Sequence, residues 1–100
     1  MSRLLEPDDV TSQLADIPSW IVDGPSIRRT YDFPDFAAAI RWIDQMAVIA
    51  EAMDHHPDVD LRWRRVFVTL TTHSEGGITA LDTDLAHRLE SKAREFGASA

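Results

Sequence analysis

Residues 34 to 57 read PDFAAAIRWIDQMAVIAEAMDHHP, and this run decides the fold. Asp35 is a good helix N-cap, and Phe36, Ala39, Ile40, Ile43, Met46, Ala47 and Ala50 follow at helical spacing. The spacing predicts a long amphipathic helix from Asp35 to about Asp54. Pro57 cannot continue it and biases His56 out of the α region. The double histidine His55-His56 therefore stands where a long helix becomes a loop.

Strand-like segments lie on both sides of this helix. Upstream, Trp20 to Val22 reads as a short strand, and Asp23-Gly24-Pro25-Ser26 is turn chemistry. Ile27 to Phe33 sets Ile27, Tyr31 and Phe33 against Arg28, Thr30 and Asp32, with Arg29 breaking the apolar side. The two segments are expected to pair as a hairpin. Downstream, Val59, Leu61 and Trp63 have period two, and Val66, Val68 and Leu70 follow out of phase. Arg64-Arg65 marks the break, a tight turn or a bulge. A hairpin is the favoured reading, although Arg-Arg is a poor turn sequence. Its second strand runs into Thr72-His73.

Two further helices flank this centre. Residues 7 to 16 open on Pro7, Asp8 and Asp9, which suit a helix start, and Pro18 ends the element. After a Gly-rich loop, Thr79 and Asp82 have capping-box spacing. Leu81, Leu85, Leu89 and Ala93 then repeat every four residues to an end near Phe96. The tail Gly97 to Ala100 is expected to fray. The element order α-β-β-α-β-β-α predicts an α+β two-layer sandwich. Its four-stranded antiparallel sheet carries three helices on one face. It forms a single domain over residues 1–100, with a core from about 7 to 96.

Composition bounds the function. A chain of 100 residues with 44% apolar and 27% charged residues is an ordinary globular domain. It has no cysteine, so disulfides and thiolate metal sites are ruled out, which fits a reducing cytoplasm. Met1 to Asp9 show no apolar core of signal-peptide type, and no apolar run nears the roughly 20 residues of a membrane span. The net charge of −7 argues against a nucleic-acid partner. The expectation is a cytoplasmic protein with no nucleic-acid or membrane partner. A domain this small is also expected to self-associate.

Three of the four histidines, His55, His56 and His73, stand at ends of elements, where sites are usually built. Glu51 precedes His55 by one helical turn, so a carboxylate can hold that imidazole in one tautomer. Blander readings exist for each. A His-His pair suits the negative end of a helix dipole, and His73 suits an exposed strand end. The capping box alone accounts for Asp82, Trp63 is more often core or interface, and His87 reads as surface. Adjacent histidines are a weaker metal signature than a helical i, i+4 pair, so no metal is expected.

These residues carry a resemblance. Glu51-x-x-x-His55-His56-Pro57, five residues to Trp63, nine to His73 and eight to Asp82 resembles the signature of the pterin-4a-carbinolamine dehydratases. That family is also known as the dimerisation cofactor of a homeodomain transcription factor. Ile27-Arg28-x-x-Tyr31-x-Phe33-x-Asp35-Phe36, Thr71-Thr72-His73 and Gly77-Ile78-Thr79-x-x-Asp82-x-x-Leu85-Ala86 are similar as well, so the likeness spans about residues 10 to 92. The chain departs from it at Ser19, Val59 and Leu61, where relatives commonly carry Gly, an aromatic residue and Asn.

The resemblance implies dehydration of 4a-hydroxytetrahydrobiopterin to quinonoid dihydropterin and water, in tetrahydrobiopterin recycling. It implies His55, His56 and His73 as catalytic residues, and Glu51 and Asp82 as orienting ones, with Glu51 holding His55. Pro57, Trp63, Thr72 and Ser74 join the histidines in binding substrate. No cofactor is required, because nothing changes oxidation state. The implied partners are a pterin substrate, an aromatic amino acid hydroxylase pathway and further copies of the chain, as homodimer or homotetramer. The alternative is a non-catalytic dimerisation, assembly or transcription cofactor of the same fold.

Overall fold

A computed structural model of the chain describes residues 3–99. The elements are α1 (Pro7–Gln13), β1 (Ile21–Asp23), β2 (Ser26–Asp32), α2 (Phe36–Met53), β3 (Asp58–Arg62), β4 (Arg65–Leu70) and α3 (Ala80–Glu95). The strands form one open antiparallel sheet in the order β1-β2-β4-β3. Period-two alternation gives the sheet two unlike faces. Ile27, Arg29, Tyr31, Val66, Val68 and Leu70 are buried under the helices, while Arg28, Thr30, Arg65 and Phe67 are exposed on the other face. The expected α+β architecture and its element order are the ones observed.

The long helix α2 docks on a face centred on Trp42, with Ala38, Ala39, Met46 and Ala50 beside it. Phe36 and Ile40, which the periodicity places in the buried stripe, are half exposed. Trp42 stacks at 4.7 Å from the Tyr31 ring and 5.1 Å from that of Phe33, and its indole N–H donates to the Leu89 carbonyl at 3.2 Å. That large ring sets the rotation of the helix. A fully buried side chain of this kind is worth roughly 1.5–3 kcal/mol.

Arg29, the residue that breaks the apolar side of β2, points inward. Its Nη1 donates to both Glu90 carboxylate oxygens at 3.0 Å, and its Nη2 donates to the Ser99 carbonyl at 3.0 Å. The Tyr31 hydroxyl donates to Glu90 at 2.7 Å, and the Trp20 indole reaches it at 3.2 Å. Burial, and then the Glu90 carboxylate, push the Tyr31 phenol well above its ordinary range.

Four boundaries differ from expectation. The first helix stops at Gln13, because Ile17 N–H bonds the Leu14 carbonyl in a tighter turn ahead of Pro18. The first strand begins at Ile21, with Trp20 turned into the core. The β3–β4 turn is Trp63-Arg64, one residue earlier than Arg64-Arg65, since Arg62 pairs with Arg65 and Trp63 takes the left-handed φ of 54°. The tail does not fray over residues 97–99: Ser99 N–H bonds the Asp32 carbonyl at 2.9 Å while its own carbonyl holds Arg29. Ala100, the last residue of that tail, lies outside the described residues.

Candidate active site

The site is made by the way α2 ends. Asp54 adopts the left-handed conformation (φ 49°, ψ 43°), its N–H bonds the Glu51 carbonyl at 3.2 Å, and His55 N–H bonds the Ala50 carbonyl at 3.0 Å. This is a Schellman cap with aspartate in the position that glycine usually takes. It reverses the chain within two residues. His55 is thereby turned inward and buried, while His56 swings back over the last turn of the helix.

That reversal reassigns the expected partners. Glu51 pairs with His56 and not with His55: its Oε2 meets His56 Nε2 in a close, solvent-exposed contact. The i, i+4 geometry that would join Glu51 to His55 requires the helix to continue, and the left-handed Asp54 ends it. His55 is held instead by Asp82, with Nε2 to Oδ1 at 2.6 Å and the carboxylate fully buried.

Asp82 has three partners. Besides His55, its Oδ2 accepts from Thr79 N–H at 2.9 Å, which is the capping bond of α3, and from the Thr72 hydroxyl at 2.8 Å. The cap and the histidine contact are thus made by one side chain. Thr72 is itself anchored by N–H to the Gly77 carbonyl at 2.9 Å. A single 3-10 turn, His73–Glu75, follows it, closed by Gly76 at φ 72°. This turn sets His73 exposed at the rim.

His55, His56 and His73 line one cleft of about 290 Å³, together with Asp54, Thr71, Thr72, Ser74 and Leu81. That volume lies at the small end of ordinary ligand pockets. Pro57 lies next door, in an apolar hollow with Val59, Ile43 and Met46, and His56 forms the wall between hollow and cleft. Trp63 is not brought to the cleft. It sits at the far end of the β3–β4 hairpin, roughly 16 Å along the strand from Asp58, with Arg64 over its ring at 5.0 Å.

His87 is partly exposed, as its sequence context suggests, but it is engaged. Its Nε2 meets the Gln13 carbonyl at 2.6 Å and ties α3 to the end of α1. Asp54, Thr71 and Leu81 also line the cleft, although nothing in their residue types or spacing gives them a site role. Asp54 carries one signal, as the residue between a long helix and the His-His-Pro run where no glycine is available to end it.

An open antiparallel sheet with helices on one face and a histidine-lined cleft at one end defines a small α+β protein with a polar, carboxylate-supported site. The family model described as pterin 4 alpha carbinolamine dehydratase matches residues 3–92, and the chain belongs to that family. A relative from Nocardia farcinica that carries the name pterin-4-alpha-carbinolamine dehydratase is 44% identical over 93 residues, covering 93% of this chain and 98% of its own. One from Roseiflexus castenholzii with the same name is 41% identical over 90 residues, covering 90% and 97%. A crystal structure from Brucella melitensis, titled transcriptional coactivator/pterin dehydratase, superposes with a TM-score of 0.84 at 40% identity, over 91% of this chain and 98% of that one.

Proposed function

We propose that the chain dehydrates a pterin 4a-carbinolamine, with His55 and His73 as the acid–base pair and His56 as a clamp. The reading is carried by one observation: imidazoles from two separate loops line a single cleft of small-molecule size. Family membership supports it.

The reaction breaks the C4a–O bond and releases water. The leaving hydroxyl takes up one proton and N5 of the ring gives one up, as the quinonoid double bond forms. Imidazole suits both transfers, because it exchanges protons near neutrality and a positioned acid–base group is worth about 10²–10⁴-fold. His55, backed by Asp82, has a fixed orientation. His73 faces the opening, where a bound ring would meet it. His56 is steadied by Glu51 and closes the side toward the apolar hollow. Ser74 supplies a hydroxyl at the edge, while the buried Thr72 hydroxyl is turned to Asp82 behind His55. No redox partner is needed.

In the cell this activity would serve tetrahydrobiopterin recycling after an aromatic amino acid hydroxylase, in the cytoplasm, with the chain as a homodimer or homotetramer. No helix among the described residues is long and apolar enough to cross a membrane. The retained histidine set favours catalysis over a purely assembling role.

The test is a dehydration assay with a 4a-hydroxytetrahydropterin. The native chain is expected to turn it over, and His55→Ala and His73→Ala are each expected to lose about 100-fold or more in kcat. Near-full turnover in both variants would refute the assignment.

A further inference from the structure

The hydrogens of the buried network behind His55 can be placed by elimination. Asp82, as a carboxylate, only accepts. Its Oδ2 lies 2.8 Å from Thr72 Oγ1, so the single Thr72 hydroxyl proton points at Asp82. Thr72 Oγ1 also lies 2.8 Å from Thr79 Oγ1, and with its own proton spent it must accept there. Thr79 therefore donates to Thr72, while its oxygen accepts from Leu81 N–H at 3.2 Å. The chain runs one way: Thr79 to Thr72 to Asp82.

The same elimination reaches the histidine. Nε2 of His55 sits 2.6 Å from Asp82 Oδ1, and two acceptors at that distance need a proton between them. The proton belongs to Nε2. Nδ1 has no hydrogen-bond partner among the described residues and is not sealed from solvent, and His55 lines the cleft.

We propose that Thr72 and Thr79 are positioning residues whose one-way hydroxyl chain fixes the Asp82 carboxylate against His55, so that Asp82 keeps the His55 proton on Nε2 and Nδ1 is the atom that exchanges protons with the substrate. This rests on the dehydratase reading for the identity of the substrate, but the tautomer itself does not. During turnover Nδ1 takes the proton that N5 gives up, the imidazolium keeps its Nε2–H on Asp82, and Nδ1 then passes the proton to solvent water. Asp82 stays unprotonated throughout. Thr72 serves twice, since its backbone also fixes the start of the turn that carries His73.

Long-range proton–nitrogen correlation spectra of the ¹⁵N-labelled chain test this, recorded at mildly alkaline pH. The native protein is expected to show the Nε2–H tautomer; an Nδ1–H tautomer would overturn the proposal. Asp82→Asn must keep its carbonyl toward Thr79 N–H and Thr72, so its amide N–H faces Nε2. The His55 proton is expected to move to Nδ1, with kcat falling about 100-fold. Thr72→Val, nearly isosteric, leaves Asp82 a carboxylate and is expected to keep the Nε2–H tautomer, while the loosened Asp82 costs about tenfold in kcat, and Thr72→Ser is expected to restore kcat to within about twofold. An unchanged tautomer in Asp82→Asn, or full kcat in Thr72→Val, sinks the idea. Should the native chain prove inactive on the pterin, the function fails while the tautomer spectra still judge this inference.

Discussion

Glu90→Ala tests the buried charge cluster. The carboxylate receives two bonds from Arg29 at 3.0 Å, one from Tyr31 at 2.7 Å and one from the Trp20 indole at 3.2 Å. The Arg29 and Glu90 side chains are only 5% and 7% exposed. Truncation leaves a guanidinium in the core, and breaking a buried pair in this way costs about 3–5 kcal/mol. The tyrosine hydroxyl and the indole also lose an acceptor, at about 1 kcal/mol each. Part of that returns, because the Trp20 indole also reaches the Tyr31 hydroxyl at 3.1 Å and Arg29 keeps the Ser99 carbonyl. A net loss of about 4 kcal/mol is expected, against a total of about 5–15 kcal/mol for a domain of this kind. In urea the midpoint should fall by about 3 M at an unchanged slope near 1.3 kcal/mol per M. The double variant Arg29→Met with Glu90→Leu should recover most of the loss, since apolar replacement of a buried pair is often neutral. If Glu90→Ala alone costs under about 1 kcal/mol, Arg29 is not desolvated and the reasoning fails.

Three further outcomes follow from the geometry. Asp54→Gly should stabilise the chain by about 0.5–1 kcal/mol in urea unfolding, because residue 54 sits at φ 49° and glycine carries no left-handed penalty; a destabilised variant would mean that the Asp54 side chain outweighs its backbone. Trp63→Ala should leave both kcat and KM within about twofold, since Trp63 stands at the far turn, 72% exposed; a large rise in KM would return it to the substrate site. The Tyr31 phenol, raised from its ordinary 10.0, adds stability that is fully present below about pH 10 and is lost as pH climbs through its higher folded value. Tyr31→Phe should therefore flatten the alkaline fall in melting temperature, and an unchanged fall would contradict the shift.

Much of the fold was legible in the chain because it is written in local periodicity. The spacing from Phe36 to Ala50, the alternation from Ile27 to Phe33 and the Thr79–Asp82 cap each follow from contacts within a few residues. The structure departs from the pattern where one side chain or one backbone angle outweighs it. Trp42 rotated α2 so that Phe36 and Ile40 face outward, and Trp63 took a turn position that few large residues accept. Arg29 interrupts the apolar side of β2, and the reason lies 61 residues away in Glu90, which supplies its counter-charge.

The residue types of the site were equally plain: three imidazoles at element ends, two carboxylates and a recognisable spacing. Sequence alone determined those, because ligand types and element boundaries are local properties. Which carboxylate serves which histidine was decided by tertiary structure. A left-handed Asp54 turned His55 into the core toward Asp82 and left Glu51 to His56. A spacing of four predicts contact only while a helix persists, and where it ends the direction of the next side chain depends on the backbone that packing selects.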